Sequence, residues 1–476
     1  MQAFVSGVTS SESQLSVLGP LVLVAWSLRS ESQRDAVVRW VVRSRPDTMV
    51  LQAVSGLSTV KRALKHLKAG GTVLVLRPEH PTEWRFTFGN VERVWHPMLG
   101  ALVRLSRASV VPVVVHGQVF AGTLLPAKRL QKIEDHRALT EFIRSRILMQ
   151  DVRVVPAQKP KQSARSLPVS PPSPVALLQR EIETLRQGGH GLVSQSSLSV
   201  FVAGATQIPH LLHEIGRQRE LSFREAGEGT GREIDLDRYD QHYLHLFLWD
   251  ADQASIAGAY RLGCADEILP VHGARGLYTQ SLFRLGRKFL SQLDDAVELG
   301  RSFIARDYQR DAVAMPLLWK GIVAWLADNP RYRRFFGPVS ISQDYAPQSR
   351  RLMVRYLRKH HGHRNLSRHV QPRRPYFALG ISPAEKSFLR CGVVDAEDCS
   401  EVVSGIEADG KGFPTLLRHY LKLNGRFLSF NVDPDFSDVL DGLVMVDMLE
   451  TDPRLPARLM GREKWEQYLA HHLHKR

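Results

Sequence analysis

One acidic residue in the central part of the chain has the setting of a group that handles an amine. Glu298 lies in the segment AVELGRSFIARDYQ, Ala296–Gln309, whose apolar residues predict a β-strand. A carboxylate flanked by apolar residues is partly buried, and such a group can bind or deprotonate an amino group. The alternative is a structural ion pair with Arg301. Because residues three apart on a strand point to opposite faces, the spacing favours the site role.

Two arginines and a glycine-rich turn are further candidates for contacts with anionic groups. Arg219 and Arg261 can make forked hydrogen bonds to a carboxylate or to phosphate oxygens. The turn GEGTG, Gly227–Gly231, resembles a phosphate-cradling loop, but it lacks the Lys-Ser/Thr end of a P-loop and follows no clear strand. The sequence has no G-x-S-x-G nucleophile elbow, so a serine hydrolase is not expected.

An ordered series of motifs carries a resemblance to a known family. In chain order the motifs are Arg219 four residues before Phe223, the acids Asp237 and Asp240, the pair Arg261 and Leu262, Glu298-x-x-Arg301, the segment FFGPVSISQDY that holds Ser340, and the segment Asp409–Asp447. This order resembles the carrier-protein-dependent branch of the GNAT acyltransferase superfamily. Its members include the bacterial ornithine-lipid N-acyltransferases, often catalogued as hemolysins, and more distantly the acyl-homoserine-lactone synthases. The resemblance begins near Leu198 and continues to the C-terminal residues.

The resemblance implies a fold, a reaction and a site. It implies a GNAT-like domain that moves a fatty or 3-hydroxy-fatty acyl chain to an amine such as ornithine. The donor is the phosphopantetheine thioester of acyl carrier protein, or acyl-CoA. No bound cofactor is implied, because the reaction needs a positioned amine, donors for the oxyanion and a channel for the chain. The implied catalytic residues are Glu298, Asp240 and Asp237, and the implied donor and substrate contacts are Arg219, Phe223, Arg261, Arg301 and Ser340.

The two aspartates leave two interpretations open. In the related enzymes such acids line the acceptor site, and they would suit a cationic ornithine-like headgroup. Equally, they would cap a helix that begins near Asp240, because Asp is a favoured N-cap and the following QHYLHLFLW is apolar.

The segment after the central strand departs from the GNAT pattern. GNAT enzymes grip the pyrophosphate of CoA with a glycine-rich turn at this place. Here the segment reads ARDYQRDAVAMPLLWKG, Ala305–Gly321. The departure favours acyl carrier protein over CoA as the donor.

The first 155 residues resemble the lysophospholipid (glycerolipid) acyltransferase fold, with predicted strands at 48–54, 71–78 and 109–117 separated by helices. That family works through a His-x-x-x-x-Asp pair, and this chain has no histidine before His66. Its substrate-binding glycine is also replaced, within Arg77–His80. Catalysis is therefore not expected in this domain. Two rival hypotheses remain: a glycerolipid O-acyltransferase in which this domain works, and a lipid- or carrier-binding scaffold without turnover.

A stretch rich in Pro, Ser and Lys divides the chain. Residues 156–175 contain few core residues and predict an extended linker. With 476 residues and 43% hydrophobic content, the chain is long enough for two globular units. We therefore predict an α/β protein with two mixed-sheet domains, residues 1–155 and 176–476. The second is expected to have the acyl-CoA N-acyltransferase fold.

The chain is strongly basic, with 64 Lys and Arg against 48 Asp and Glu and a formal net charge of +16. This excess attracts acidic partners, such as acyl carrier protein, an anionic membrane surface or nucleic acid. No nucleic-acid-binding signature accompanies it, so nucleic acid is not expected. The excess concentrates in Arg350–Pro375, where Leu352, Tyr356 and Leu357 predict one apolar stripe on a helix. This helix either docks on anionic lipid or is simply solvated.

Other features bear on location and metal binding. The three cysteines are too few for a disulfide framework and lack C-x-x-C spacing. The apolar run Leu15–Leu28 is too short to span a bilayer, and no basic region precedes it. These features predict a cytoplasmic protein, peripheral to the inner membrane. The histidines of His360–His363 and His471–Lys475 lack other ligands at metal-binding spacing, so no metal is expected.

Overall fold

The computed structural model describes residues 19–25, 30–51, 57–76, 84–87, 90–93, 98–116, 118–150 and 167–473. The helices are α1 Glu31–Ser44, α2 Leu57–Lys68, α3 Met98–Ser106, α4 Ala127–Leu130, α5 His136–Gln150, α6 Val175–Gln187, α7 Pro209–Glu225, α8 Ala265–His272, α9 Thr279–Leu282, α10 Arg287–Leu290, α11 Ala314–Asp328, α12 Pro347–His360, α13 Pro383–Cys391, α14 Ala396–Ile406, α15 Thr415–Lys422, α16 Arg454–Met460 and α17 Arg462–Leu473. The strands are β1 Leu21–Ala25, β2 Met49–Leu51, β3 Thr72–Leu76, β4 Trp84–Thr87, β5 Asn90–Arg93, β6 Ser109–His116, β7 Gln118–Ala121, β8 Gly191–Gln195, β9 Leu198–Gly204, β10 Leu244–Asp250, β11 Ser255–Cys264, β12 Phe283–Leu285, β13 Ala296–Ile304, β14 Arg334–Ile341, β15 Val370–Pro372, β16 Arg426–Asp433 and β17 Val439–Asp447.

The chain forms two compact units. The first contains Met1–Pro156, Ala346–Arg355 and Leu379–Phe413. It holds a five-stranded sheet of order β2-β3-β1-β6-β7. The first four of these strands are parallel, and β7 is antiparallel to β6. Strands that alternate with helices along the chain produce such a sheet, as expected for the predicted α/β class.

Strands β1 and β3 of the first unit are buried on both faces. In β1, Leu21 and Leu23 lie in a cluster with Val37 and Val41 of α1. Val22 lies on the opposite face, in a cluster with residues of α2, α3 and α5. Burial on both faces explains why the strands read as continuous apolar runs. Arg77–His80 lie outside the described residues, and the resemblance to glycerolipid acyltransferases stays a prediction.

Residues 379–413 pack with the first unit, whereas the sequence predicts one continuous domain from residue 176 to residue 476. Helix α13 packs against α5. Arg129 binds Asp398 of α14 at 2.7 Å, and Arg146 of α5 binds Glu401 at 2.6 Å. Contacts between segments this far apart in sequence leave no signal in local periodicity. The sequence pattern therefore could not show that residues 379–413 pack with the first unit.

The second unit contains Ala157–Tyr345, Tyr356–Ala378 and Pro414–Arg476. Its eight-stranded sheet has the order β16-β17-β14-β13-β11-β10-β9-β8. Neighbouring strands are antiparallel except β13 and β14, which are parallel. Helix α7 packs against β11 and β13, and α11 packs against β8, β9, β10 and β11 on the other face.

Most elements predicted around the candidate site are present. The strand predicted within Ala296–Gln309 is β13, which ends at Ile304. The apolar segment after Asp240 forms β10 instead of the predicted helix. Nearly all residues of β10 are buried, so the segment shows neither a period of two nor a period of 3.6. Such a run cannot be assigned from periodicity alone.

The end of the Pro/Ser/Lys stretch runs along the second unit. Residues 167–174 form neither helix nor strand. The N–H groups of Leu167 and Ser170 donate to the carbonyl groups of Gly231 and Glu233, at 2.9 and 2.8 Å. This part of the stretch is therefore extended and bound to the domain.

Two findings concern membranes and metals in the described part of the chain. None of its helices is both long and apolar enough to cross a bilayer. Nor do three or more of its His, Cys, Asp or Glu side chains come together as ligands for a metal ion.

Candidate active site

The two parallel strands at the centre of the second unit pair over only part of their length. Strands β13 and β14 pair over three residues each, ending at Glu298 and Phe336. Both strands continue further, to Ile304 and Ile341. Beyond Glu298 and Phe336 their facing edges are not paired with each other, and we call this unpaired stretch the gap. Unpaired backbone groups at such edges need partners, and a linear ligand that carries amides can supply them.

A β-bulge turns Arg301 toward the sheet face that holds Glu298. Arg301 has a φ of 49°, a left-handed conformation that is strained for a residue with a Cβ. The register of β13 against β11 shifts at this point. The prediction that Glu298 and Arg301 face opposite sides is therefore wrong, because the bulge adds a residue and resets the alternation. Both residues contact Tyr278: its N–H donates to Glu298, and the Arg301 guanidinium lies 4.9 Å from its ring centre.

Polar residues form a band across the sheet face that α7 covers. The strand register places His245 opposite Arg261, and Ser340 and Asn431 opposite Asp441. Apolar clusters lie on both sides of the band. Because burying polar groups is costly, a band of this kind in an apolar face points to a functional role. We call these strand residues the polar band: His245, Arg261, Glu298, Arg301, Ser340, Asn431 and Asp441.

Three arginines pair with three aspartates on the β10 and β11 side of the band. Arg219 and Arg261 both bind the Asp240 Oδ1, at 3.0 and 3.2 Å. Arg261 also binds Asp237 at 2.7 Å, and Arg301 lies 3.4 Å from the same aspartate. Asp235 lies 3.6 Å from Arg301. We call this set the arginine–aspartate cluster: Arg219, Arg261, Arg301, Asp235, Asp237 and Asp240.

Charge pairing keeps Asp240 of this cluster ionised. Burial would raise the pKa of Asp240, but Arg219 and Arg261 hold that pKa well below its usual range. His245 Nε2 lies 2.9 Å from the carbonyl oxygen of Asp240. Burial, and next Arg219, lower the pKa of His245 to about 4, so its imidazole is neutral at neutral pH. Arg219 and Arg261 are fully buried, and their predicted contacts with donor or substrate stay a prediction.

Asp237 and Asp240 also organise the turn that carries them. Asp237 is the N-cap of the 3-10 turn Arg238–Gln241 and accepts a hydrogen bond from the Tyr239 N–H at 2.9 Å. Asp240 accepts one from the Asp237 N–H at 2.8 Å. The turn leads into β10, so the predicted helix near Asp240 is wrong. The same carboxylates cap the turn and bind arginines, so the two interpretations are compatible.

Glu298 is enclosed by hydrogen-bond donors and is 1% exposed. Its Oε2 accepts from the Tyr243 hydroxyl at 2.5 Å and from the Tyr278 N–H at 3.1 Å. Its Oε1 accepts from the N–H and the hydroxyl of Thr279, both at 2.5 Å. Burial raises the pKa of Glu298 even though these bonds lower it. Glu298 thus fixes the start of α9, and its predicted catalytic role stays a prediction.

Acids crowd the β14 and β17 side of the band with little compensating charge. Asp433 and Asp441 are each 4% exposed. Asp441 accepts a hydrogen bond from the Ser340 hydroxyl at 3.0 Å. Burial, and next Asp433, raise the pKa of Asp441 well above its usual range, and burial raises the pKa of Asp433. We call the carboxyl groups on this side the acid group: Glu228, Asp344, Asp433 and Asp441.

Glu228 stands in the glycine-rich turn Gly227–Gly231, directly after α7. The buried Glu220 holds this turn by accepting hydrogen bonds from two of its backbone N–H groups, at 3.2 and 2.9 Å. Burial, and next Asp344, raise the pKa of the half-buried Glu228 to about 7. Glu228 also contributes to the raised pKa of Asp441, so the two carboxyl groups lie near each other. A carboxyl group that titrates near neutral pH can both accept and release a proton.

Two aromatic rings pack beside Arg301. Phe223 and Phe436 meet edge to face, with 6.1 Å between ring centres. The Arg301 guanidinium lies 4.3 Å from the centre of the Phe436 ring, at a cation–π distance. The residues predicted from the sequence thus lie on or against one sheet face: Arg219, Phe223, Asp237, Asp240, Arg261, Glu298, Arg301 and Ser340.

Sequence reasoning missed several residues of this face. Tyr243 and Thr279 hold Glu298, and Glu220 holds the glycine-rich turn. Asp433 and Asp441 lie in the segment DPDFSDVLDG, where acids alternate with apolar residues. That alternation was the available signal, because acids inside an apolar strand are rare without a partner or a function.

Several backbone N–H groups of the loop between β13 and α11 form hydrogen bonds within the loop itself. The N–H groups of Tyr308, Gln309 and Asp311 donate to carbonyl groups of the same loop, at 2.9 to 3.2 Å. These N–H groups are not available to a phosphate. A cavity of about 620 Å³ opens beside the loop, and its lining residues are Glu225, Arg306, Asp307, Gln309 and Arg310.

Comparisons with known proteins identify a family for this chain. Residues 218–320 match the family described as acetyltransferase (GNAT) domain. A glycine Nα-acyltransferase of Bacteroides thetaiotaomicron is 30% identical over 279 residues, which are 56% of this chain and 82% of that protein. One from Phocaeicola vulgatus is 29% identical over 272 residues, 54% of this chain and 82% of that protein. Among solved structures, the CoA-dependent acyl-homoserine lactone synthase MesI aligns with 55% of this chain and 95% of its own, at 12% identity. Its TM-score of 0.28 is too low to establish a shared fold.

The GNAT match spans the elements that build the site. It begins in α7, includes the glycine-rich turn, β10, β11 and β13, and ends in α11. The predicted fold class, mixed α/β with a GNAT domain in the C-terminal part, is confirmed. With 30% identity over most of a relative's length, the chain belongs to the GNAT family of N-acyltransferases.

Proposed function

We propose that this N-acyltransferase joins a long fatty or 3-hydroxy-fatty acyl chain to the α-amine of an amino acid. The observation that carries the proposal is the acid group next to Arg301, beside the gap between β13 and β14. Carboxylates attract a cationic amine, and a guanidinium binds a carboxylate in a forked geometry. An amino acid carries both groups on one carbon.

Glycine and ornithine are the first acceptors to compare. The two relatives are glycine Nα-acyltransferases, and the sequence motifs resemble the ornithine-lipid enzymes. Both acceptors present the same α-amine and carboxylate. Ornithine carries a second ammonium group, for which Asp433 and Asp441 are suitable partners, because a nearby cation favours the ionised form of each acid. Acylation of either amino acid with a long chain gives an amphiphile, which supports a role in lipid synthesis.

Glu228 is proposed to accept the proton of the acceptor's ammonium. With a pKa of about 7, its carboxylate is partly ionised at neutral pH. The freed amine nitrogen attacks the thioester carbonyl carbon, the N–C bond forms, and the C–S bond then breaks. The remaining extra proton on nitrogen leaves with the thiol. Unpaired backbone N–H groups at the edge of β13 are suited to the oxyanion of the intermediate.

The acyl donor is proposed to be the thioester of an acyl carrier protein. Its phosphopantetheine arm contains amides that suit the unpaired strand edges of the gap. The loop after β13 uses its N–H groups internally, which disfavours a pyrophosphate cradle. The exposed Arg310 is suited to a single phosphate, and Arg306, which pairs with Glu225 at 3.3 Å, lies in the same loop. Acyl-CoA is the alternative donor.

Mass spectrometry of reaction products tests this proposal. The full chain is incubated with 3-hydroxyacyl carrier protein or 3-hydroxyacyl-CoA, and with glycine, ornithine or lysophosphatidic acid. We expect an N-acylated amino acid, formed faster from the carrier protein than from CoA. Acylated lysophosphatidic acid without any acylated amino acid would overturn the proposal and support the O-acyltransferase hypothesis.

A further inference from the structure

One surface of the second unit is strongly basic. It is built from residues 268–293 and 356–378, and neither segment contains an Asp or a Glu. Antiparallel pairing of β12 with β15 joins the two segments. The Gly286 N–H also donates to the carbonyl oxygen of His369 at 2.8 Å, next to α10. The two segments therefore form one continuous surface.

Seven of the exposed cationic side chains of these segments lie within residues 284–288 and 364–374. In the part of the chain that the structure describes, none of them forms an ion pair with an acid. The Arg373 Nε donates to the carbonyl oxygen of Gln280 at 3.0 Å, which fixes that side chain beside α9. We call these residues the basic face: Arg284, Arg287, Lys288, Arg364, Arg368, Arg373 and Arg374.

An exposed aromatic side chain follows the last of these cations. Phe377 is 68% exposed. Protein surfaces usually intersperse both signs of charge, because neighbouring like charges repel each other and destabilise the fold. A surface with several exposed cations, none of them in an ion pair among the described residues, is stabilised when a polyanion covers it. An exposed aromatic ring beside them adds affinity for an apolar layer behind that polyanion.

We propose that the basic face docks this protein on an anionic lipid bilayer, with Phe377 entering the interface. Each Lys or Arg near an anionic membrane surface contributes about 1 kcal/mol. The seven cations come from α10, β12 and three neighbouring segments, so a flat polyanion can contact many of them together. The exposed Phe377 favours a bilayer over an acidic carrier protein, because it has an apolar layer to enter. The proposal does not depend on the acceptor or donor proposed above.

Vesicle binding by the full chain tests the proposal. The vesicles are either pure phosphatidylcholine or equal parts phosphatidylcholine and phosphatidylglycerol, at low and high salt. We expect binding to the anionic vesicles alone, and loss of that binding at high salt. The triple variant Arg284→Glu/Arg287→Glu/Lys288→Glu should bind at least about 100-fold more weakly, since three favourable cations are lost. Phe377→Ser should weaken binding by a smaller factor that does not depend on salt.

A matched variant separates the basic face from net charge. Arg180, Arg418 and Arg458 are exposed on other elements of the second unit. Their triple change to Glu alters the net charge equally and should leave binding within a few-fold of the wild type. Equal loss in both triple variants would overturn the proposal, as would wild-type binding by the basic-face variant. If the basic-face variant binds vesicles as the wild type does but turns over acyl carrier protein more slowly, the basic face binds the carrier protein instead. Thermal unfolding of each variant checks that it is folded.

Discussion

The polar band buries acids in two different ways. On the β10 and β11 side, each aspartate of the arginine–aspartate cluster has a guanidinium within 3.6 Å, and the pKa of Asp240 is lowered. On the β14 and β17 side, the pKa values of Asp441, Asp433 and Glu228 are raised. Burial acts in the same direction on both sides, so the supply of cations decides the sign. The compensated side is suited to hold the fold, and the other side is suited to exchange protons.

Removal of a cation from the compensated side should have the largest effect on stability. In Arg261→Met, Asp237 and Asp240 lose a guanidinium that lies within 3.2 Å. We expect the free energy of unfolding to fall by about 3–5 kcal/mol, because a buried charge is left without its partner. Denaturant unfolding measures this loss. Arg186→Met is the control, since its pair with Glu183 is exposed and should contribute only about 0–1 kcal/mol. Equal losses in both variants would show that the buried cluster is not structural.

Replacement of the enclosed carboxylate should have an intermediate effect. In Glu298→Gln, an NH₂ group replaces an oxygen that now accepts two hydrogen bonds, so donors face donors. We expect a loss of about 1–3 kcal/mol in the free energy of unfolding, with a smaller loss in Thr279→Ala. Turnover measured well below the melting temperature distinguishes a structural role of Glu298 from a role in proton transfer. If Glu298 is the base, the rate falls by about 10²–10⁴-fold in Glu298→Gln alone.

The two sides should respond to pH with opposite signs, although the effects are smaller. The raised pKa of Asp441 means that the folded protein keeps a proton that the unfolded chain has released. Wild-type stability therefore falls as pH rises from about 4, the ordinary Asp value, through the raised pKa. Asp441→Asn cannot ionise, so it should match the wild type in acid and gain stability relative to it at pH 8.

Asp240→Asn provides the opposite case. The lowered pKa of Asp240 contributes stability above the ordinary Asp value, and this contribution is lost as pH falls through the lowered pKa. The variant should therefore be destabilised at neutral pH, with a cost that fades in acid. Melting temperatures across pH measure both variants. If the stability of both variants relative to the wild type changes with pH in the same direction, the proposed difference between the two sides is wrong.

The sequence predicted much of the sheet and the compensated side of the band. Strands β11 and β13 and helix α7 have clear patterns, and ordered motifs marked Asp237, Asp240 and Arg261. The bulge at Arg301 could not be read, because alternation assumes a regular strand. The acid group could not be read either, because Glu228, Asp344, Asp433 and Asp441 come from distant segments. The raised pKa values of Glu228, Asp433 and Asp441 depend on burial and on neighbouring acids, and these appear only in the fold.

The pH dependence of kcat/KM for wild type and Glu228→Gln tests the central claim most directly. The exposed Glu233 lies nearby in the chain, and Glu233→Gln is the control. The account predicts that wild-type kcat/KM rises through pH about 7, as Glu228 ionises. In Glu228→Gln, kcat/KM should no longer rise through this pH range and should be about 10²–10⁴-fold lower than in the wild type. Glu233→Gln should keep the wild-type value and the same rise with pH. Because the raised pKa of Glu228 destabilises the fold above neutral pH, Glu228→Gln should also melt higher than wild type at pH 8. If Glu228→Gln keeps the wild-type kcat/KM and the same rise of kcat/KM with pH, the account is contradicted. Another group of the polar band must then accept the proton.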